Sequence, residues 1–231
     1  MKKLHFLVIL CSIFIRSQYS DNLTYGLKIG VVHSMTTNIP EMLLGRERYL
    51  SAFEMKTRGV YGVEGGLFLN YKFHDTRAAI QPEILYRKGG EQLWYQNSVS
   101  GQEYLLDFKY SYIVIGALYK LYPFQGLNLG IGVHYAKNLQ PHSIEYTSNE
   151  SDGRFDTNYR QFYRDGIVGK DDFNLSFNIG YELNNAFHFD LRYYLGIADG
   201  IGTRNTSFQF IENTNRNTIF ALSLGYSFHN W

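Results

Sequence analysis

The end of this chain constrains it most. Residues 219–229 read Ile-Phe-Ala-Leu-Ser-Leu-Gly-Tyr-Ser-Phe-His. Phe220, Leu222, Leu224, Tyr226 and Phe228 occupy every second position, with Ala221, Ser223, Gly225, Ser227 and His229 between them. A strand turns successive side chains to opposite faces, so the segment predicts one greasy face and one compact, wettable face. The same pattern recurs along the chain. Repeated in a closed sheet with the polar face inward, it predicts a barrel surrounded by lipid.

The first twenty residues read differently. Lys2 and Lys3 make a basic start, residues 4–15 are mostly apolar, and residues 16–20 are polar. This is the layout of a secretory signal peptide, expected over 1–20 and cleaved near residues 17–20, with the barrel domain over 21–231. The single cysteine, Cys11, lies in this leader and follows the large Leu10, so a lipoprotein signal is not expected. The mature chain then has no cysteine and no thiol chemistry. No later stretch approaches the ~20 apolar residues of a membrane helix. Aromatic residues are 17% of the chain, which suits girdles at two membrane interfaces. A formal net charge of +1 implies no nucleic-acid partner.

Alternation predicts eight strands: residues 25–32, 59–71, 78–88, 106–121, 127–136, 173–183, 187–196 and 219–229. Pro82, which lacks an N–H, suggests a bulge in the third. The fourth is uneven. Asp107, Lys109 and Ser111 share a parity with Ile113 and Ile115, which suggests a register shift at a bulge midway. Connections alternate in length. Residues 73–77, 122–126 and 184–185 are short, whereas 33–58, 89–105, 137–172 and 197–217 are long. Short turns mark the periplasmic end of an outer-membrane barrel, and an even strand number puts both termini there. Tyr71, Phe73, Tyr122, Phe124, Tyr181, Phe187, Tyr226 and Phe228 lie beside the expected turns, as a girdle requires.

Several stretches resemble PorT-type outer-membrane β-barrel proteins of Bacteroidota. Gln-Pro-Glu-Ile-Leu-Tyr (81–86) is similar to that family's QPELLY strand, and residues 112–123 to the strand that follows it. Residues 127–134, 177–183 and 190–196 resemble three further strands in the same order. Gly116 and Val114 depart from the pattern, where the family often has Pro and Glu. The resemblance implies location and fold but no single activity. It also implies that the C-terminal strand is read by the barrel-assembly machinery.

The charged residues expected in the lumen are Glu64, Glu83, Arg87, Asp107, Lys109, Glu182, Asp190 and Arg192, with His134 and His188 beside them. A narrow eight-strand barrel fills its interior with side chains, and buried charge must be paired. The cluster is therefore read as structural. His33-Ser34 and His142-Ser143, near Glu41 and Glu145, are the only hints of a nucleophile and base. Neighbours in a strand face opposite ways, which places them poorly for that role. No catalytic, metal or cofactor-binding residues are assigned. A lipocalin-like calyx, the soluble rival, would need an apolar interior cavity. The expectation is an all-β, eight-stranded, antiparallel, up-and-down transmembrane barrel, monomeric, in the bilayer of the outer membrane. It would be a non-enzymatic protein with a structural or surface-interaction role, its long outer loops making the external contacts and offering a site for a protein partner. The second reading is a narrow solute channel or an adaptor of a secretion system.

Overall fold

A computed structural model describes residues 22–39, 53–150, 153–183, 186–203 and 214–228. The expected leader, the 184–185 turn, Glu41 and His229 lie outside these residues. Eight strands form a closed antiparallel ring: β1 (Leu23–Thr36), β2 (Phe53–Lys72), β3 (Ala78–Asn97), β4 (Glu103–Leu121), β5 (Leu127–Asn138), β8 (Asp172–Leu183), β9 (Phe187–Gly196) and β11 (Asn217–Phe228). The tail closes the ring. It pairs with β1 in unbroken register from Tyr25 opposite Phe228 to Thr36 opposite Asn217. Hydrocarbon supplies no partner for an exposed N–H or C=O, so only a closed sheet satisfies every strand edge there.

The outward positions carry the greasy face. Leu27, Ile29 and Val31 on β1 are exposed, as are Ile131 and Val133 on β5 and Leu222 and Leu224 on β11. Between them, Lys28, Asn128, His134, Ser223 and Ser227 are buried inside the ring. Small residues admit the larger inward ones. A Cβ on Gly116 would lie 2.1 Å from the His134 ring, and one on Gly225 would lie 1.9 Å from that of His188. The turn before β5 depends on Gly126, whose φ of 79° is left-handed.

Two expected bulges are absent. The β3–β4 ladder runs in one register from Ala78 opposite Leu121 to Gln96 opposite Glu103, through Pro82 opposite Ala117. Pro82 interrupts pairing only toward β2, whose register is the same on either side of it. The shift lies instead in β2, between Gly59 and Glu64.

The long connections are also largely ordered. β3 and β4 continue outward as one hairpin, so most of 89–105 is strand rather than loop. Residues 139–171 hold β6 (Ile144–Ser148), helix α1 (Gly153–Gly166) and β7 (Ile167–Gly169); β7 pairs with β10 (Ile201–Thr203). β6 pairs with the outer part of β4. Its other edge is covered from α1: Arg164 Nε donates to the Ile144 carbonyl at 2.8 Å and Arg160 Nη2 to that of Tyr146 at 3.3 Å. Both arginines also pair with Glu145, Arg160 at 3.1 Å and Arg164 at 2.5 Å. Side-chain donors thus blunt an edge that would otherwise invite another strand. Among the described residues no helix is long and apolar enough to cross a membrane; the strands do that.

The faces are testable on β11, where Leu224 is exposed and Ser223 is 3% exposed. Leu224→Arg is expected to destabilise the vesicle-folded barrel by about 2–4 kcal/mol in denaturant titrations, as for a charge near mid-bilayer. Ser223→Ala is expected to change the midpoint little.

Candidate functional site

The inward face at membrane level is a buried charge network centred on Glu83 of β3. Arg192 of β9 donates through Nη1 to Glu83 Oε1. His134 Nε2 of β5 lies 2.9 Å from the same oxygen, and Lys28 Nζ of β1 lies 3.4 Å from Oε2. The second buried carboxylate, Asp190 of β9, stands 3.3 Å from Lys28 and 4.0 Å from Lys120 of β4. Asn178 of β8 joins the parts. Its amide donates to Asp190 at 3.0 Å and to Asn128 at 3.1 Å, and its carbonyl accepts from Arg192 Nε at 3.1 Å.

Nearer the outer end, Arg87 donates through Nε and Nη2 to Glu64 of β2 at 3.1 and 3.0 Å. Its guanidinium lies 3.9 Å from the ring centre of Tyr194, whose hydroxyl accepts from Arg192 Nη1 at 2.9 Å. A cation over a desolvated aromatic face gains further electrostatic attraction. The two layers are thus bridged by Tyr194, and their side chains come from every ring strand except β11. Arg87, Arg192, Lys28 and Lys120 are all fully buried. Removing such charges from water is costly, and their mutual attraction offsets that cost only when the set is complete.

Of the eight charged residues expected in the lumen, the structure brings five together: Glu64, Glu83, Arg87, Asp190 and Arg192. Glu182 stands apart at the periplasmic rim, 3.1 Å from Lys72 Nζ and accepting from the Tyr122 hydroxyl at 2.7 Å. Tyr122 consequently turns toward the mouth and is not part of the outer girdle. A small cavity of about 100 Å³ remains there, lined by Lys72, Gln81, Lys120, Glu182 and His188 among others.

Asp107 and Lys109 are corrected: they lie on the outer face of β4, 3.6 Å from one another. Their strand has already left the membrane at that height. Its inner face carries Leu106, Phe108 and Tyr110, all buried, so charge there points out and grease points in. Lys28 and Lys120 were missing from the expected set. Lys28 was visible on the polar parity of its strand. Lys120 becomes legible only when β4 is read as one unbroken register.

Above the charges the barrel is closed a second time. Leu85, Leu93, Leu106, Phe108, Val114 and Ile144 form an apolar core with Ile167 and Ile201 from the cap strands. A chain of rings crosses it. Tyr95 stacks on Tyr104 at 4.8 Å, and Tyr146 meets Tyr159 at 5.4 Å and Tyr163 at 5.5 Å, both from α1. The hydroxyls of Tyr95 and Tyr163 are 3.1 Å apart. Residues 159, 162 and 163 share one helix face by their three- and four-residue spacing.

Glu91 marks the seam between the layers, beyond the membrane-spanning part of β3. It is 2% exposed and accepts from the Thr36 N–H at 3.0 Å. Burial raises its pKa to about 7, against the opposing effect of that hydrogen bond.

The family of the "outer membrane protein beta-barrel domain" matches residues 16–202. This chain belongs to that family. The outer membrane is therefore its location, and its apolar outer face is the lipid contact. No curated protein matches the chain. Among solved structures it is similar to Neisserial surface protein A, with 11% identity over 88% of this chain and 97% of that one, at a TM-score of 0.44. It is also similar to OprG from Pseudomonas aeruginosa, with 15% identity over 90% and 96% and a TM-score of 0.43. The attachment invasion locus protein Ail of Yersinia pestis, solved with a heparin analogue, shows 15% identity over 90% and 99% and a TM-score of 0.39.

Two outcomes are expected of this outer-membrane barrel. Arg192→Met removes a main partner of Glu83, and vesicle-folded protein is expected to lose about 3–5 kcal/mol in urea titrations, with Glu83→Gln in the same background recovering part of it. The second concerns pH. In the folded state Glu91 holds its proton up to about pH 7, whereas the unfolded chain releases it near the ordinary 4.5. The folded state therefore binds more protons between those values, and stability falls as pH rises through that window. Glu91→Gln is expected to flatten this fall, as read from unfolding midpoints measured across it.

Proposed function

We propose that this protein is a non-conducting, non-enzymatic barrel of the outer membrane that presents a folded cap to the exterior and acts by binding a protein partner there. The filled interior carries this reading. A charge network linking seven of the eight ring strands and a tyrosine-rich apolar core lie one above the other along the axis, which favours a platform over a narrow solute channel. The resemblance to PorT-type barrels implies no single activity, and the adaptor reading stays within the same proposal.

Within the same proposal, residues 1–20 act as the signal peptide, the last strand engages the barrel-assembly machinery as the family resemblance implies, and the barrel works as a monomer. Catalysis has little support at the His-Ser pairs. Ser34 is buried and donates to the Gly90 carbonyl at 2.8 Å, while His33 lies on the opposite parity against Tyr61. His142 Nδ1 lies 2.9 Å from the Arg164 carbonyl, which the ring satisfies by donating.

Leader-free protein, refolded and shown by a heat-modifiability gel to be a barrel, is expected to give no reproducible steps in a planar bilayer. Steady single-channel steps would replace this proposal with the channel.

A further inference from the structure

The outer parts of β2, β3 and β4 rise beyond the lipid-facing belt as one sheet. One face packs on the apolar core beneath the cap. The other continues the outward face of the belt, in unbroken parity on β3 and β4 and across the register shift on β2, and looks across the membrane surface. Tyr86 is the last lipid-facing residue of β3. Lys88 follows it on the same face, with Lys109 beside it on β4, where Gly90 pairs with Lys109. Higher on that face stand Arg58 opposite Gln92 and Lys56 opposite Trp94.

At roughly 3.3 Å per residue, Lys88 lies roughly 7 Å and Trp94 roughly 26 Å along the strand from Tyr86. With a strand tilt of about 40°, those become roughly 5 and 20 Å of height. The first height is that of lipid phosphates. The second is that of the sugars a glycolipid carries above them.

The side chains suit such a headgroup. Trp94 is 45% exposed on a sheet face that holds a shallow groove of about 690 Å³, lined by Lys56, Arg58, Gln92, Leu105 and Thr147 among others. An indole flanked by amide and guanidinium donors offers a flat apolar surface for the C–H face of a pyranose and hydrogen bonds for its rim. Arginine additionally pairs with phosphate in a forked geometry.

Most nearby carboxylates are already engaged. Asp107 pairs with Lys109, Glu54 lies 3.8 Å from Lys56, Glu103 accepts from Gln96 at 3.1 Å, and Glu145 is held by α1. Among the described residues Arg58 and Lys88 make no ion pair, and Lys88 sits only near the Tyr86 ring, at 5.9 Å. Two cations are thus available on a face that continues the lipid contact.

We propose that this outward face binds the phosphorylated saccharide headgroup of a glycolipid in the outer leaflet, with Lys88 at the phosphates and Arg58, Gln92 and Trp94 at the sugars. The position of the face selects a membrane lipid over a soluble partner. A free glycan would be met by the cap, whereas this face looks sideways at what stands on the neighbouring lipid tails.

The test uses the full mature chain with Trp231→Phe, so that Trp94 is the single tryptophan. It is refolded in phosphatidylcholine vesicles, in the same vesicles with phosphatidylglycerol, and in vesicles of matched charge containing rough lipopolysaccharide with a complete phosphorylated core. Acrylamide quenching of Trp94 is expected to fall several-fold only with the glycolipid. Arg58→Gln with Lys88→Gln is expected to restore it, while the heat-modifiability shift stays unchanged. Equal quenching in all three vesicles would overturn the proposal. Equal protection by phosphatidylglycerol would reduce the face to a general anion contact and overturn saccharide recognition. Protection that survives the double substitution would also overturn it, and would point to a covering protein segment instead.

Discussion

Every level of this structure follows from what hydrocarbon refuses to do. It cannot hydrogen-bond a peptide group, so the sheet must close, and it closes by pairing the last strand with the first. Closure at eight strands leaves an interior only as wide as its own side chains. Apolar side chains such as Phe68, Leu85 and Leu118 fill part of that space, and polar and charged ones fill the rest, because most apolar residues of each strand are already committed to lipid. The buried cations and carboxylates are therefore the consequence of closing a narrow ring, and their pairing is what makes that closure tolerable.

The network is also a device for register. Glu83 meets groups from β1, β5 and β9, none of which is a hydrogen-bonded neighbour of β3. A one-residue slip of any of these strands would turn its charged side chain into the lipid. Backbone ladders alone discriminate poorly between such registers. Contacts across the lumen discriminate strongly, since each wrong register strands a charge on both sides of the wall.

Much of the ring was legible from alternation, most plainly in β5, β8, β9 and β11, where one rule holds from end to end. β4 was the hard strand, and it shows why the rest was not legible. Its side chains keep one parity throughout, yet the meaning of that parity reverses along its length. Lys120 points in and Tyr119 out within the membrane, while Phe108 points in and Lys109 out above it. A reader who assumes lipid outside along the whole strand must insert a bulge to explain the change. The medium changes instead of the register. The cap was hidden for the same reason. Its apolar residues are scattered over the β3–β4 hairpin and the connection from β5 to β8, and no local period announces that they meet.

β4 is therefore one unbroken strand shared by two structures. Within the bilayer it pairs with β5, and outside it pairs with β6 of the cap; β3 accompanies it over nearly its full length. Along β4 no loop separates the surface-facing part from the anchored part. A pull on the cap is transmitted along the strand axis, across which the ladder bonds of β4 are loaded together in shear rather than opened one after another. The cap is mechanically continuous with the membrane wall, so a partner that grips it holds the whole barrel.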